Sequence, residues 1–203
     1  MDVHGFYRKL SPRFRAARMR HFAQCMALTS ETTVLDVGGS PDIWTLCPVM
    51  PRLTFLNRYK LSGVPDDRMI VGDACNIAVP DKSFDIAFSN SVIEHVGDHS
   101  RQRAFATEMM RIGRKVWCQT PDRAFPIELH LFSPFTHWLP QPAFEIVGPM
   151  LAMRRIFRDT ENPRNIARDL RLLTKTEIAN FFPGAIIRRE RLGGFSKSLI
   201  AII

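Results

Sequence analysis

Cysteine is scarce in this chain, and the four present exclude the usual uses of the residue. Cys25, Cys47, Cys75 and Cys118 are separated by 22, 28 and 43 residues, so no CxxC pair and no zinc-finger spacing exists. Reduced and mostly buried thiols are expected. No apolar run approaches the ~18–20 residues that span a bilayer, and the opening MDVHGFYRKL lacks the apolar stretch of a secretory signal. The expected setting is the cytoplasm. Repeats, low-complexity tracts and flexible linkers are also missing. What is present is 203 residues, 45% hydrophobic and 24% charged, the balance of one soluble globular domain.

Positive charge dominates, 28 Lys and Arg against 20 Asp and Glu, and it is unevenly placed. Residues 1–30 hold six basic and one acidic side chain, residues 151–203 eleven and five, and the middle eleven and fourteen. Such ends can attract nucleic acid, an anionic membrane surface or an anionic substrate, but solvated arginine-rich helix faces produce the same pattern.

Ser11-Pro12 has the form of an N-cap followed by proline at the first helical position. Phe14, Arg18, Phe22, Cys25 and Met26 then recur at helical spacing, which predicts a helix over about 12–28 with a basic outer face of Arg13, Arg15, Arg20 and His21. This N-terminal part, 1–29, is expected to be a helical extension that covers one edge of the core. Short apolar runs follow at 33–37, 53–56, 69–71, 84–88 and 115–119, with a helix over about 100–112 between the last two. Apolar strands alternating with loops and helices indicate an α/β protein with a largely parallel sheet. Residues 121–165 carry seven prolines among aromatic residues and are expected to form a lid. Thr174-Lys175-Thr176-Glu177 is a capping-box pattern that predicts a helix over about 175–182. Gly193-Gly194 joins two closing strands, about 185–191 and 197–203, into an antiparallel hairpin.

Three strand ends carry the chemistry. VLDVGGSPD ends the first strand in an acid, two glycines and a serine; VGDACNIAVPD places Asp73 after the third; FDIAFSNSVIEHV places Ser89, Asn90, Ser91, Glu94 and His95 after the fourth. Ligands bind at the carboxyl ends of strands in open α/β sheets. With these motifs in view, the sequence resembles the class I S-adenosylmethionine-dependent methyltransferases of the small type 11 group, closely over about residues 30–120 and more loosely through TPDRAFPIELHLFSPFTHWLP and the closing segments.

The resemblance implies a single three-layer, Rossmann-like domain over 1–203: a seven-stranded, mostly parallel sheet with a terminal antiparallel hairpin and helices on both faces. It implies S-adenosylmethionine as cofactor, with Asp36 orienting the loop and the methionine amino group and Gly38, Gly39 and Ser40 forming the loop that admits the cofactor. It also implies that Asp73 accepts from the adenine amino group, Ala74 lies beside the ring, and Ser89 lines the methionine end, while Ile77 is a candidate apolar wall. Two segments, the glycine loop and the end of the second strand, depart from the family pattern. Ser40 and Asp42 stand where glycines are usual, with Asp42 expected to cap the next helix, and Asn57 replaces the acid that holds the ribose.

Methyl transfer from a sulfonium is an in-line displacement, for which a general base is optional. Glu128, His130, His137 and His95 are the candidates, since histidine titrates near neutrality. Phe125, Phe132, Phe135 and Trp138 would give an apolar acceptor pocket. Asp122, Glu128 and His130 have no diagnostic metal spacing, so no metal is expected. The expected acceptor is a small molecule, lipid or glycan. The alternatives are a non-catalytic relative acting through a partner and an RNA methyltransferase. Nucleic acid is not the expected partner, because the fourth strand ends in SNSV without a proline-proline-aromatic motif. Peripheral contact with an anionic membrane and a monomer or homodimer complete the expectations.

Overall fold

In the computed structural model, residues 3–152 and 162–203 are described, with side chains from residue 13 onward. Seven strands form one sheet: β1 (Thr33–Val37), β2 (Arg52–Asn57), β3 (Met69–Val71), β4 (Phe84–Asn90), β5 (Gly113–Pro121), β8 (Ile186–Leu192) and β9 (Phe195–Ile202). Their order is β3-β2-β1-β4-β5-β9-β8. β1 to β5 pair in parallel, and β9 runs antiparallel to both β5 and β8. The class and the terminal hairpin are as the sequence predicts. A two-stranded ribbon, β6 (Ile127–Glu128) with β7 (Ser133–Pro134), lies outside the main sheet.

The helices are α1 (Val3–Met26), α2 (His99–Ile112), α3 (Gln141–Met150), α4 (Pro163–Asp169) and α5 (Lys175–Phe181). One side of the sheet packs against α2 and α5, where Phe105, Met109, Ile112, Ile178 and Phe182 join Leu35, Val37 and Val116. The opposite side packs against α1, where Met19, Phe22 and Met26 meet Trp44, Phe88 and Trp117. Phe22 lies edge-on to Phe88 and Trp117, with ring centroids 4.8 and 5.3 Å away. The N-terminal helix is therefore part of the core, and removing the Phe22 ring is expected to cost about 3–5 kcal/mol. The crossovers from β1 to β2 and from β2 to β3 are reduced to short 3₁₀ turns, Pro41–Leu46 and Asp66–Arg68.

Local signals explain most boundaries. Asp98 caps α2 by accepting the Arg101 amide at 2.9 Å, and buried Gln102, Phe105, Ala106, Met109 and Ile112 share one face. Thr174 and Glu177 form the predicted capping box on α5. The start of α1 is a correction: the helix begins at Val3 and passes through Pro12, so Ser11 is not its cap. A proline in a helix interior forfeits one backbone bond, at about 3 kcal/mol, and packing of the following turns into the core offsets that cost. Asp42 does not cap either. It sits in the first turn of the 3₁₀ segment, Ser40 holds the N-cap position without a side-chain bond, and Asp42 gives its carbonyl to the Thr45 hydroxyl at 2.7 Å. Cys25 is exposed and Cys47 and Cys75 are half-buried, leaving Cys118 as the buried thiol. Among the described residues, no helix is long and apolar enough to cross a membrane.

Candidate functional site

β1 has β2 on one side and β4 on the other, so the sheet reverses its winding there. Open α/β sheets place ligand crevices at that reversal, outside the carboxyl ends of the strands. A cavity of about 290 Å³ occupies this point, lined by Gly38, Leu56, Asn57, Arg58, Tyr59, Gly72, Asp73, Ala74, Ser91, Val92, His95 and Val96.

Of the loop residues, Gly38 faces the cavity. Its φ is +78°, and a Cβ there would lie 2.6 Å from Val92 Cγ1, so only glycine fits. Gly39 is required for a different reason, since a Cβ would fall 2.1 Å from Asp36 Oδ2. Asp36 itself is fully buried behind the loop and does not line the cavity. Its Oδ2 accepts from Trp44 Nε1 at 2.8 Å and Oδ1 has no partner. Burial pushes its carboxyl up to about 7 against the opposing pull of the Trp44 bond. Ser40 is exposed and outside the lining.

Asn57 does line the cavity, and its Nδ2 donates to the Gly39 carbonyl at 2.9 Å. The replacement of an acid has a structural logic here: an amide can tie the end of β2 to the glycine loop, which a carboxylate, having no donor, cannot do. Asp73 and Ala74 also line the cavity. Asp73 accepts from Arg101 Nη2 at 2.8 Å on both oxygens and from the Cys75 amide at 3.0 Å on Oδ1. Arg101 is the main reason its carboxyl lies below the usual range, so it stays ionised. With about four lone-pair positions on a carboxylate, one on Oδ2 remains for a ligand.

Ser89 is a correction. It is fully buried and donates to the Val37 carbonyl at 3.0 Å, joining β1 to β4. β4 extends to Asn90, and the residue that turns into the cavity is Ser91, at φ +57°, with its hydroxyl donating to Gln119 Oε1 at 3.0 Å. Ile77 lies in the core below the cavity, and Leu56, Ala74, Val92 and Val96 supply the apolar lining. Ser91 is among the residues that the sequence sets at the end of the fourth strand, whereas Arg58, Tyr59, Gly72, Val92 and Val96 are not singled out there; the signal for them is the rule that residues just past each strand end face the ligand.

His95 opens onto this cavity and onto an adjoining one of about 620 Å³, lined also by Arg58, Asp98, Gln141, Arg168 and Arg171. Desolvation, reinforced by the His130 ring, pushes His95 down to about 4, so it is neutral at pH 7. His95 Nε2 and His130 Nε2 are 3.2 Å apart. His130 Nδ1 is held by Glu128 Oε1 at 2.6 Å, and the same carboxylate accepts the amides of His130 and Leu131. Burial alone would raise Glu128, but the bonds from the His130 ring and the two amides outweigh it and hold its carboxyl below the usual range. The structure thus brings His95, His130 and Glu128 together across 35 residues of sequence.

His137 does not join them. Its Nε2 lies 3.0 Å from the Arg123 carbonyl, at a separate cavity of about 190 Å³. Asp122 is buried and accepts the Ala124 amide, apart from the histidine pair. The expected aromatic acceptor pocket is also a correction: Phe125 and Phe132 are packed away, Phe135 and Trp138 face outward, and none of the four lines these cavities.

Comparison with known proteins bears on this geometry. Residues 49–115 match the family profile of a methyltransferase domain. Over those residues the chain is similar to methyltransferase domains. A candidate methyltransferase of Encephalitozoon cuniculi is 30% identical over 119 residues, covering 54% of this chain and 56% of that protein. The match therefore spans about half the length of the curated relative. Among solved structures, the Haloferax volcanii complex of the Trm112 methyltransferase activator with its candidate methyltransferase aligns with TM-score 0.56 at 14% identity, over 98% of this chain and 92% of that one. The Burkholderia thailandensis 1,6-didemethyltoxoflavin N1-methyltransferase, solved with S-adenosylhomocysteine, aligns with TM-score 0.53 at 12% identity, over 94% and 76%. At these identities the likeness is one of fold, and the fold is that of a class I methyltransferase.

Proposed function

We propose that this protein binds S-adenosylmethionine in the 290 Å³ cavity and transfers its methyl group to a small-molecule, lipid or glycan acceptor entering through the adjoining 620 Å³ cavity. The observation that carries this reading is the convergence at the switch point of Gly38, Asn57, Asp73 and Ala74 from three strand ends. Gly38 lets the cofactor lie against backbone, and the free position on Asp73 Oδ2 suits the adenine amino group. Ser91 replaces Ser89 at the methionine end.

The reaction is an in-line displacement. An acceptor lone pair forms the new bond to the methyl carbon while the carbon–sulfur bond breaks with its electron pair to sulfur, leaving S-adenosylhomocysteine. Positioning two ligands across His95 and Val96, which both cavities share, supplies most of the acceleration. In this reading His130 is the base for an acceptor hydroxyl: Glu128 holds Nδ1, and Nε2 would receive the proton by way of His95, which lines both cavities. His95, held neutral and weakly basic, is a poorer base.

Three of the arginines that motivated the RNA reading have partners within the chain. Arg18 is buried against Glu190, Asn90 and Gln119, Arg168 pairs with Asp169, and Arg171 with Glu177. Arg154, Arg155 and Arg158 lie outside the described residues. Calorimetric titration with S-adenosylmethionine tests the proposal. It predicts micromolar binding that weakens at least tenfold in Asp73→Ala, and no binding at millimolar cofactor would overturn it.

A further inference from the structure

Two imidazole nitrogens 3.2 Å apart require something between them. His130 Nδ1 faces the Glu128 carboxylate at 2.6 Å, so the neutral ring presents a lone pair on Nε2, and that lone pair points at His95 Nε2. Either a proton or a cation joins the two. A third ligand is at hand: a carboxylate oxygen of Glu94 lies with both nitrogens in a group whose members are all within 4.8 Å. Glu94 is fully buried, its Oε2 accepts from Thr120 Oγ1 at 2.9 Å, and its Oε1 has no hydrogen-bond partner. A buried carboxylate oxygen without a partner is costly, and a cation would satisfy it.

We infer that Glu94, His95 and His130 form a divalent transition-metal site at the wall between the two cavities. Ligands at ~2.0–2.1 Å from a tetrahedral ion stand about 3.3 Å apart, which matches the 3.2 Å between the histidine nitrogens. Glu94, with an oxygen within 4.8 Å of the histidine ligand atoms, would have to draw closer as the ion binds. Two imidazoles and one carboxylate form a set that takes zinc, cobalt(II) or iron(II) and leaves positions open. The supporting contacts are also in place. Glu128 holds Nδ1 of His130 and Thr120 holds Oε2 of Glu94, as outer partners orient ligands in metal sites. From sequence no metal is expected, since Asp122, Glu128 and His130 have no diagnostic spacing. The structure keeps His130, moves Glu128 behind it, and brings Glu94 and His95 from the end of β4.

The binding of the ion stands on these residues alone, and its use rests on the methyl-transfer reading. An open coordination position beside His95 would take an acceptor oxygen, lower its pKa and let its proton pass to solvent, with His130 then serving as ligand rather than base.

Cobalt(II) added to metal-free protein is the test, read by its visible ligand-field bands and by calorimetry. One equivalent is expected to bind, with affinity falling at least tenfold in His95→Ala and in Glu94→Gln, and by about 10–100-fold in Glu128→Gln. His99→Ala, on α2 and outside the group, is expected to bind as the parent does. The His95 ring is solvent-accessible, so His95→Ala keeps the test valid even where the buried substitutions unfold the chain. Absence of binding at millimolar cobalt, or equal binding by His95→Ala, would overturn the site. S-adenosylmethionine binding is read separately, so either proposal can fail without the other.

Discussion

The buried carboxyl of Asp36 makes the stability of this protein depend on pH in a direction opposite to that of an ordinary ion-paired acid. Its folded-state pKa is about 7, because burial disfavours the charged form and Trp44 Nε1 is its one donor. In the unfolded chain the value is about 3.9. The folded state therefore holds the proton more tightly, and the stabilising contribution is fully present below pH 4 and lost as pH rises to 7. Three pKa units at about 1.4 kcal/mol each give a total near 4 kcal/mol. About 2.5 kcal/mol of it falls between pH 5 and 8. Asp36→Asn keeps the shape and the acceptor for Trp44 but cannot ionise. Urea unfolding of both proteins at pH 5 and pH 8 is expected to show the variant gaining about 2.5 kcal/mol on the parent across that interval. A difference constant to within about 0.5 kcal/mol would refute the assignment of the pH dependence to Asp36.

Other substitutions probe neighbouring parts of the site. Gly39→Ala sets a methyl 2.1 Å from Asp36 Oδ2, and is expected to cost more than about 3 kcal/mol in urea unfolding, since neither the loop nor the buried acid can retreat. Asn57→Asp loses the bond to the Gly39 carbonyl and opposes two acceptors; the expected cost is about 1–3 kcal/mol of stability with weaker cofactor binding by calorimetry. Thr174→Ala breaks the capping box of α5 and is expected to cost about 1 kcal/mol by thermal unfolding, without effect on cofactor affinity.

Much of the fold is written locally. β1 and β3 have the bounds their β-branched runs mark, α5 begins at its capping box, and the Gly193-Gly194 turn closes the hairpin where expected. Tertiary packing decided the rest. Pro12 reads as a helix start, yet the helix continues on both sides of it. Ser89 and Ser91 differ by one pleat period and a strand end, and only the extension of β4 to Asn90 settles which faces the ligand. Asp36 reads as a ligand-facing acid, but the tight Gly39 loop covers it. The histidine pair was legible as separate candidates. Their meeting, with Glu94 beside them, depends on how the 127–134 ribbon folds over the end of β4, and no periodicity encodes that.

The central claim is that the cofactor sits at the carboxyl ends of β1, β2, β3 and β4. Amide hydrogen exchange with and without S-adenosylhomocysteine tests it most directly, because it locates the ligand without needing an acceptor. The account predicts slowed exchange confined to the segments around 38–40, 57–59, 72–76 and 91–96. Protection absent from those segments, or centred instead on the cavity beside His137, would contradict it.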